Sequence, residues 1–183
     1  MKIRLLSNWW HKVLPLLVLL MGACASAPPL PRHEADLGLP RRAHIIEHTA
    51  GQPDLDSMLV VQQEGQASRW SLFDPLGVPL ARQLLQNGKW SSDGLLPPNA
   101  QARALFAKLV FAWMPQDQLD SAYGPGAWRA RTLPDGGRER VLLNDGTPTW
   151  TVQWPAPPVA QDTFMIKQAD GKSWLVAPLE EQQ

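Results

Sequence analysis

The residues whose spacing first suggests chemistry are His44, Glu47 and His48, which match the H-x-x-E-H signature of inverted zinc proteases. On a helix, the two histidines would lie one turn apart and could share a tetrahedral Zn²⁺. On a strand, they would be ~13 Å apart and could not bind one ion. The β-branched pair Ile45-Ile46 and the shortness of the run favour a strand. A zinc hydrolase is therefore only a remote alternative.

No local pattern in the sequence supplies a nucleophile or a phosphate-binding loop. The chain lacks the G-x-S-x-G motif, the P-loop and the dinucleotide-binding fingerprint. Asp74, Asp93, Asp117 and Asp120 are better explained as turn or helix-surface residues. We therefore expect a protein that is not an enzyme, with no catalytic residue, no bound metal and no cofactor.

The single cysteine, Cys24, follows a segment with the features of an export signal. Basic residues precede an apolar run of about nine residues, which as a helix would rise about 14 Å, too short for the ~30 Å core of a membrane. Residues 20–24, Leu-Met-Gly-Ala-Cys, resemble the bacterial lipobox. This resemblance implies cleavage after residue 23, acylation of Cys24 and, because Ala25 follows, sorting to the outer membrane. A secretory signal that is cleaved without acylation is the alternative.

Composition and charge exclude several classes of binding partner. The chain has 183 residues, of which 44% are hydrophobic, enough for one ordinary domain. Removing residues 1–23 takes away three of the 17 basic residues and none of the 17 acidic ones, which leaves a net charge of −3. Such a chain lacks the positive surface that nucleic acid requires, and it gains nothing from anionic headgroups. An acyl anchor would therefore have to hold it at a membrane.

The sequence predicts three regions: a signal peptide at 1–23, an acylated cysteine with a Pro-rich tether at 24–41, and a single domain at 42–183. The tether contains Pro28, Pro29, Pro31 and Pro40 and shows no hydrophobic period, which is typical of a semi-extended spacer.

Hydrophobic runs of period two after residue 42 predict an antiparallel meander. The Asp-Gly pairs at 145–146 and 170–171 are strong hairpin signals. The predicted strands are 58–63, 69–73, 80–85, 138–143, 149–154, 163–168 and 173–177.

One helical pattern interrupts these strands. Asn99 is a candidate N-cap, apolar residues from Leu105 to Trp113 follow helical spacing, and Pro115 ends the pattern. A second short helix is predicted at 116–123. Since an amphipathic helix must bury its apolar side, we expect a mainly β (α+β) fold, a curved antiparallel half-barrel with a helical lid.

Tryptophan is abundant, with nine residues, and several of them fall on one predicted face. In the strand at 149–154, Trp150, Val152 and Trp154 share a side. These indoles either pack a core, which composition favours, or line an apolar ligand cavity. The candidate cavity residues are Trp70, Leu72, Leu80, Leu105, Leu109, Trp113, Trp150, Val152 and Trp154.

The order of these segments resembles the LolB family of outer-membrane lipoprotein receptors. The residues that carry the likeness are 60–65, 69–77, 113–126, 149–154 and 162–172, and together the likeness covers about 42–178. The whole chain resembles still more closely a family of uncharacterised lipoproteins encoded beside aryl-polyene pigment biosynthesis genes. Pro79 departs from the LolB pattern, because proline cannot donate a hydrogen bond within a regular strand.

The resemblance implies a LolA/LolB-like half-barrel whose apolar cavity takes acyl chains delivered by a periplasmic LolA-like carrier. It also implies that Leu76, in the loop 74–77, contacts the membrane; a turn packed on its own strand is the alternative. We therefore expect an outer-membrane-anchored protein facing the periplasm, with an apolar cargo that is a lipoprotein, a lipid or a polyene-lipid, and no nucleic acid partner. The competing hypothesis is a structural or interaction lipoprotein with a filled core.

Overall fold

The computed structural model describes residues 28–33, 36–94, 96–159 and 162–179. The predicted signal peptide and Cys24 lie outside the described residues. The first five strands are β1 Arg41–His48, β2 Leu55–Glu64, β3 Ala67–Phe73, β4 Pro79–Gln86 and β5 Lys89–Ser92. The last five are β6 Trp128–Thr132, β7 Arg138–Asn144, β8 Thr147–Trp154, β9 Phe164–Gln168 and β10 Ser173–Pro178.

The ten strands form one antiparallel sheet in the order β5-β4-β3-β2-β1-β10-β9-β8-β7-β6. Two meanders, β1–β5 and β6–β10, are joined in the middle by pairing of β1 with β10. The sheet is open and curved, which confirms the predicted mainly β class and the half-barrel architecture with a helical element.

Two helices connect the edge strands β5 and β6. They are α1, Ala100–Trp113, and α2, Leu119–Tyr123, with a 3-10 turn at Gln116–Gln118 between them. Every residue of α1 from Leu105 to Ala112 is buried. The helix is thus more deeply enclosed than a lid with one solvated side, as expected for a helix that is apolar on most faces.

The N-terminal end of α1 is fixed to β4 by polar side chains. Asn99 caps the helix, with its Oδ1 accepting from the backbone N–H of Ala102 over 3.0 Å. Gln83, fully buried on β4, donates from Nε2 to the Asn99 carbonyl over 3.1 Å and accepts from Arg103 Nε over 2.7 Å. These bonds satisfy a buried amide and hold the helix start against the first meander.

The C-terminal end of α1 is fixed to β7 by one cation. Arg140 donates from Nη1 to the carbonyl oxygens of Phe111 and Met114, each over 2.9 Å. The last carbonyls of a helix have no partner within it, and a cation there also opposes the negative end of the helix dipole. Each end of α1 is therefore attached to a different meander.

The two-residue hairpin turns determine which residues pair across the neighbouring strands. At the β7–β8 turn, Asp145 and Gly146 have φ angles of 49° and 78°, as the Asp-Gly signal predicts for a two-residue turn. Asn87 and Gly88 have φ angles of 49° and 66° at the β4–β5 turn. This Asn-Gly pair is an equally strong signal, which our sequence analysis did not use, and β5 was missed as a result.

The Pro-rich segment expected to be a spacer packs on the domain wherever it is described. Leu37 is buried, and Leu30 and Leu39 pack against the core. The backbone N–H of Arg32 donates to the carbonyl of Ala122 in α2 over 2.9 Å. Residues 28–33 and 36–40, which we call the strap, enclose a small cavity of about 50 Å³ between Pro31, Leu37 and Leu39 and the sheet.

Candidate functional site

A groove opens at the end of the half-barrel opposite the strap. It lies between the first half of α1 and the ends of β1, β2, β3 and β10, and its volume is about 590 Å³. This size falls in the range of small-molecule sites. The apolar residues that line it are Ile45, Leu55, Leu72, Leu80, Ala102, Ala104, Leu105 and Trp174.

The nine candidate cavity residues divide between this groove and the packed interior. Leu72, Leu80 and Leu105 line the groove, and Leu80 is 45% exposed at its mouth. Trp113 borders a separate cavity of about 270 Å³ beside β1. The remaining five, which are Trp70, Leu109, Trp150, Val152 and Trp154, lie in the buried core, to which Leu72 and Leu105 also belong.

Aromatic rings fill the space between α1 and the first meander. The Trp70 ring centroid lies 5.3 Å from that of Phe106, 5.9 Å from that of Trp113 and 5.8 Å from that of Trp90. Such contacts are within the range of favourable ring pairing. Most of the indoles therefore form a packed core, and the open space lies beside the aliphatic side chains near the start of α1.

The loop that carries Leu76 is held in one shape by Asp74. The Asp74 carboxylate Oδ1 accepts from the backbone N–H groups of Leu76, over 2.9 Å, and Val78, over 2.8 Å. The Asp74 backbone closes the loop by donating to the Val78 carbonyl and accepting from the Gly77 N–H, each over 2.9 Å. The Leu76 side chain is left 89% exposed.

Exposed apolar side chains cluster between the loop and the groove. Leu55 is 61% exposed at the start of β2 and Val78 is 53% exposed at the end of the loop. Leu55 and Leu80 both line the groove, and Asp74 at the base of the loop lines it too. We call Leu55, Leu76, Val78 and Leu80 the apolar lip. Exposed apolar side chains grouped at one end of a fold are typical of a contact site for a partner, a ligand or a membrane.

One wall of the groove carries Lys108, which is 4% exposed. Its ammonium lies 4.4 Å from the Trp174 ring centroid and 5.7 Å from that of Trp150, and it donates to the Ala104 carbonyl over 3.2 Å. Burial lowers the pKa of Lys108 to about 8, although Asp170 and Glu47 favour the charged form.

The acidic residues around the groove are already partnered. Glu47 accepts from Lys172 Nζ over 3.1 Å and from Trp174 Nε1 over 2.9 Å. Asp170 accepts from the Lys172 backbone N–H and from Gln168 Nε2, each over 3.0 Å. These carboxylates are therefore satisfied without Lys108.

The H-x-x-E-H residues lie on strand β1, as the sequence analysis favoured. His44 pairs with Asp56 over 2.5 Å and His48 with Asp54 over 2.8 Å, both on or beside β2. Within the described residues, no three His, Cys, Asp or Glu side chains are grouped so as to hold a metal ion. The helical arrangement that the zinc hypothesis needs is thus not adopted.

Residues 42–172 match a family described as proteins of unknown function, DUF3261. The chain belongs to this family. The DUF3261 match takes in Leu76, α1 with Lys108, and every strand up to the β9–β10 turn, so the groove is built almost wholly from family sequence. No curated protein matches the chain. The likeness to LolB and the link to aryl-polyene genes therefore stay predictions for this DUF3261 protein.

None of the helices in the described ranges is both long enough and apolar enough to cross a membrane.

Lys108 and Leu55 are among the site residues that sequence reasoning missed, together with Ile45, Val78, Ala102 and Trp174. Lys108 falls within an apolar helix pattern, where a charged residue is ordinarily placed on the solvated side. Leu55 precedes the predicted strand 58–63, and no hydrophobic period marks it. The sequence did contain an indication that Lys108 is buried, because its neighbours Ala107 and Leu109 are both apolar.

Proposed function

We propose that this protein is an outer-membrane-anchored lipoprotein, facing the periplasm, that binds an acyl chain or another strongly apolar cargo for transfer to the outer membrane. The observation that carries the proposal is the groove, whose aliphatic wall includes Leu55 and Leu80, two exposed members of the apolar lip. A chain leaving the groove would pass Leu80 and Leu55 before it meets solvent.

The energetics of an apolar chain favour such a site. A long acyl chain exposes several hundred Å² to water, and burial is worth ~25 cal/mol per Å². Binding in the groove would lower the barrier to moving the chain through water and would require no bond chemistry. The absence of a catalytic role for any groove residue is therefore part of the proposal.

The rigid loop at 74–78 supports a membrane contact by Leu76. An exposed leucine gains roughly 1.5–3 kcal/mol when its side chain is buried. Asp74 orders the loop before any contact is made, so little further conformational entropy is lost when Leu76 inserts. Acylation of Cys24 would supply the anchor, and the loop would bring the mouth of the groove to the bilayer.

The cargo within this proposal is a lipoprotein, a lipid or a polyene-lipid, with a LolA-like periplasmic carrier as its donor. The resemblance to the LolB family and to lipoproteins encoded with aryl-polyene genes supports these finer assignments. The fold class agrees with such a family, and the DUF3261 match carries no assignment of cargo.

A second candidate function is a structural or interaction lipoprotein without cargo. The packed rings around Trp70 favour it, because most of the indoles proposed as cavity wall are core. Under this hypothesis the groove would be a surface depression that stays empty.

The test is native mass spectrometry of the secreted mature chain with Cys24→Ser, followed by organic extraction. A bound apolar molecule that is lost in Leu105→Trp, which fills the groove wall, supports the proposal. Leu175→Trp is the matched control, because Leu175 is exposed on the opposite face of β10. An empty protein that takes up no dodecanoic acid or dodecan-1-ol would favour the structural role.

A further inference from the structure

The ammonium of Lys108 is incompletely satisfied by the described part of the chain. Of its three donors, one reaches the Ala104 carbonyl, and the charge otherwise faces the rings of Trp174 and Trp150. Within the described residues, no carboxylate lies within 4.0 Å of Nζ. A buried charge without a counter-ion is costly, and such a group on the wall of a cleft is a candidate for binding a ligand.

The surroundings of Lys108 leave room for one anionic group. Lys108 is on the wall of the 590 Å³ groove, and the nearby Glu47 is occupied by Lys172 and Trp174. Asp170 is likewise occupied by Lys172 and Gln168. A ligand oxygen entering the groove would therefore compete with no internal ion pair for the Lys108 ammonium.

We infer that Lys108 binds the carboxylate of a single-chain amphiphile, a long-chain carboxylic acid, whose hydrocarbon tail lies along Leu105 and Leu72 and leaves past the apolar lip. This inference rests on the proposed function, since it gives the groove's apolar cargo a head group and a direction. Lys108 lies eight residues after Ala100, so the head group is about 12 Å inside the start of α1.

Charge complementarity favours a compact monoanion. One ammonium neutralises one carboxylate, and the remaining acidic groups around the groove, Glu47, Asp56, Asp74 and Asp170, would repel a second negative charge. A phosphodiester with a bulky head group would also have to pass these side chains. The aliphatic wall beyond Lys108 suits a hydrocarbon tail, and the exposed Leu55 and Leu80 continue it outward.

The affinity of the groove for a carboxylate should depend on pH. The groups that face Lys108 are Glu47 on β1, Asp56 on β2, and Asp170 and Lys172 in the β9–β10 turn. Burial lowers the pKa of Lys108 to about 8, whereas the carboxylate of the ligand stays ionised above pH 6. The affinity for the carboxylate should therefore stay constant below pH 8 and fall as the pH rises above 8.

The experiment compares dodecanoic acid with dodecan-1-ol in competition against a fluorescent apolar probe, on the secreted mature chain with Cys24→Ser. A charge-assisted hydrogen bond is worth about 1.5–3 kcal/mol, so the acid should bind roughly 10-fold to 100-fold more tightly than the alcohol at pH 7. Lys108→Met should abolish this preference and leave alcohol binding intact. Lys167→Met is the matched control, because Lys167 is exposed on β9 and does not line the groove, so the preference should persist.

The outcomes separate this inference from the proposed function. Binding of neither probe would overturn both. Equal binding of acid and alcohol by the unsubstituted chain, or a preference that survives Lys108→Met, would overturn the role of Lys108 and leave an apolar carrier. The pH profile is measured on the chain without a substitution at Lys108, so it tests the inference even if Lys108→Met fails to fold. An affinity for dodecanoic acid that stays constant from pH 7 to 10 would contradict the inference.

Discussion

Arg140 on β7 hydrogen-bonds to the carbonyl oxygen of Met114, at the end of α1, over 2.9 Å. The same guanidinium nitrogen reaches Phe111 in the last turn of the helix. Gln83 makes the corresponding attachment at the helix start from β4. A single helix therefore braces the two halves of an open sheet, and the groove lies beside its first two turns.

Arg140→Met should lower the free energy of unfolding by about 2 kcal/mol. The substitution removes hydrogen bonds from a charged donor and leaves the carbonyls of Phe111 and Met114 without that partner. Urea denaturation measures the change. Arg129→Met, at an exposed position on β6, is the control and should shift stability by less than about 0.5 kcal/mol. Equal effects of the two variants would show that the bonds at the helix end add no stability.

Lys108→Met should stabilise the protein at pH 7 by about 2 kcal/mol, because a buried ammonium is removed. Burial lowers the Lys108 pKa to about 8, so between pH 8 and about 10.4 the unfolded chain binds a proton that the folded chain does not. Stability of the unsubstituted protein rises with pH in that window, and the advantage of Lys108→Met shrinks. Urea denaturation of both proteins at pH 7 and pH 10 gives the two differences; a gap that is the same at both pH values contradicts the assigned burial cost.

Leu76→Glu should weaken binding of the unacylated chain to phospholipid vesicles by roughly 10-fold to 100-fold and leave folding unchanged. The side chain is 89% exposed, so the folded state loses no packing. Leu175→Glu, exposed on the convex face of β10, is the control and should bind vesicles like the unsubstituted chain. Vesicle co-sedimentation measures both. Undiminished binding by Leu76→Glu would remove the loop from the membrane contact.

Gly88→Ala should destabilise the strap. Gly88 has a φ of +66°, and a Cβ there would lie 2.8 Å from the backbone oxygen of Pro31. Gly65→Ala is a matched control, with a φ of +59° and no heavy atom within 4 Å of the added Cβ. Both variants carry the strain of a left-handed residue, about 1 kcal/mol. Limited proteolysis should therefore cleave the strap faster in Gly88→Ala alone, and equal rates would show that the turn does not hold the strap.

Local signals in the sequence were enough to predict most of the framework. Asp145-Gly146 predicted the β7–β8 hairpin, and Asn99 and Pro115 bounded α1 to within a residue or two. These features depend on neighbours in the chain. The missed strand β6, Trp128–Thr132, is an exposed edge with little hydrophobic period, so it carries no such signal.

The candidate site was less predictable because it depends on contacts between distant segments. Trp70 and Leu72 were predicted to line one cavity, yet both are buried in the core and only Leu72 also borders the groove. Lys108 is enclosed by Trp150 and Trp174 from the second meander, about 40 to 65 residues away along the chain. The sequence predicted a spacer for the strap because prolines indicate only the preferred backbone conformation. The packing of the strap on the domain depends on the buried side chain of Leu37.

The packing of Pro31 against Gly88 also limits how the domain can sit on a bilayer. Gly88 and Leu76 lie in the turns at the two ends of β4, which is about 26 Å long. Cys24 is four residues before Pro28, and four residues reach at most about 14 Å. If an acyl group on Cys24 and the side chain of Leu76 enter the same leaflet, either the seven residues from Cys24 to Pro31, which reach at most about 25 Å, run back along β4, or β4 is inclined toward the membrane plane.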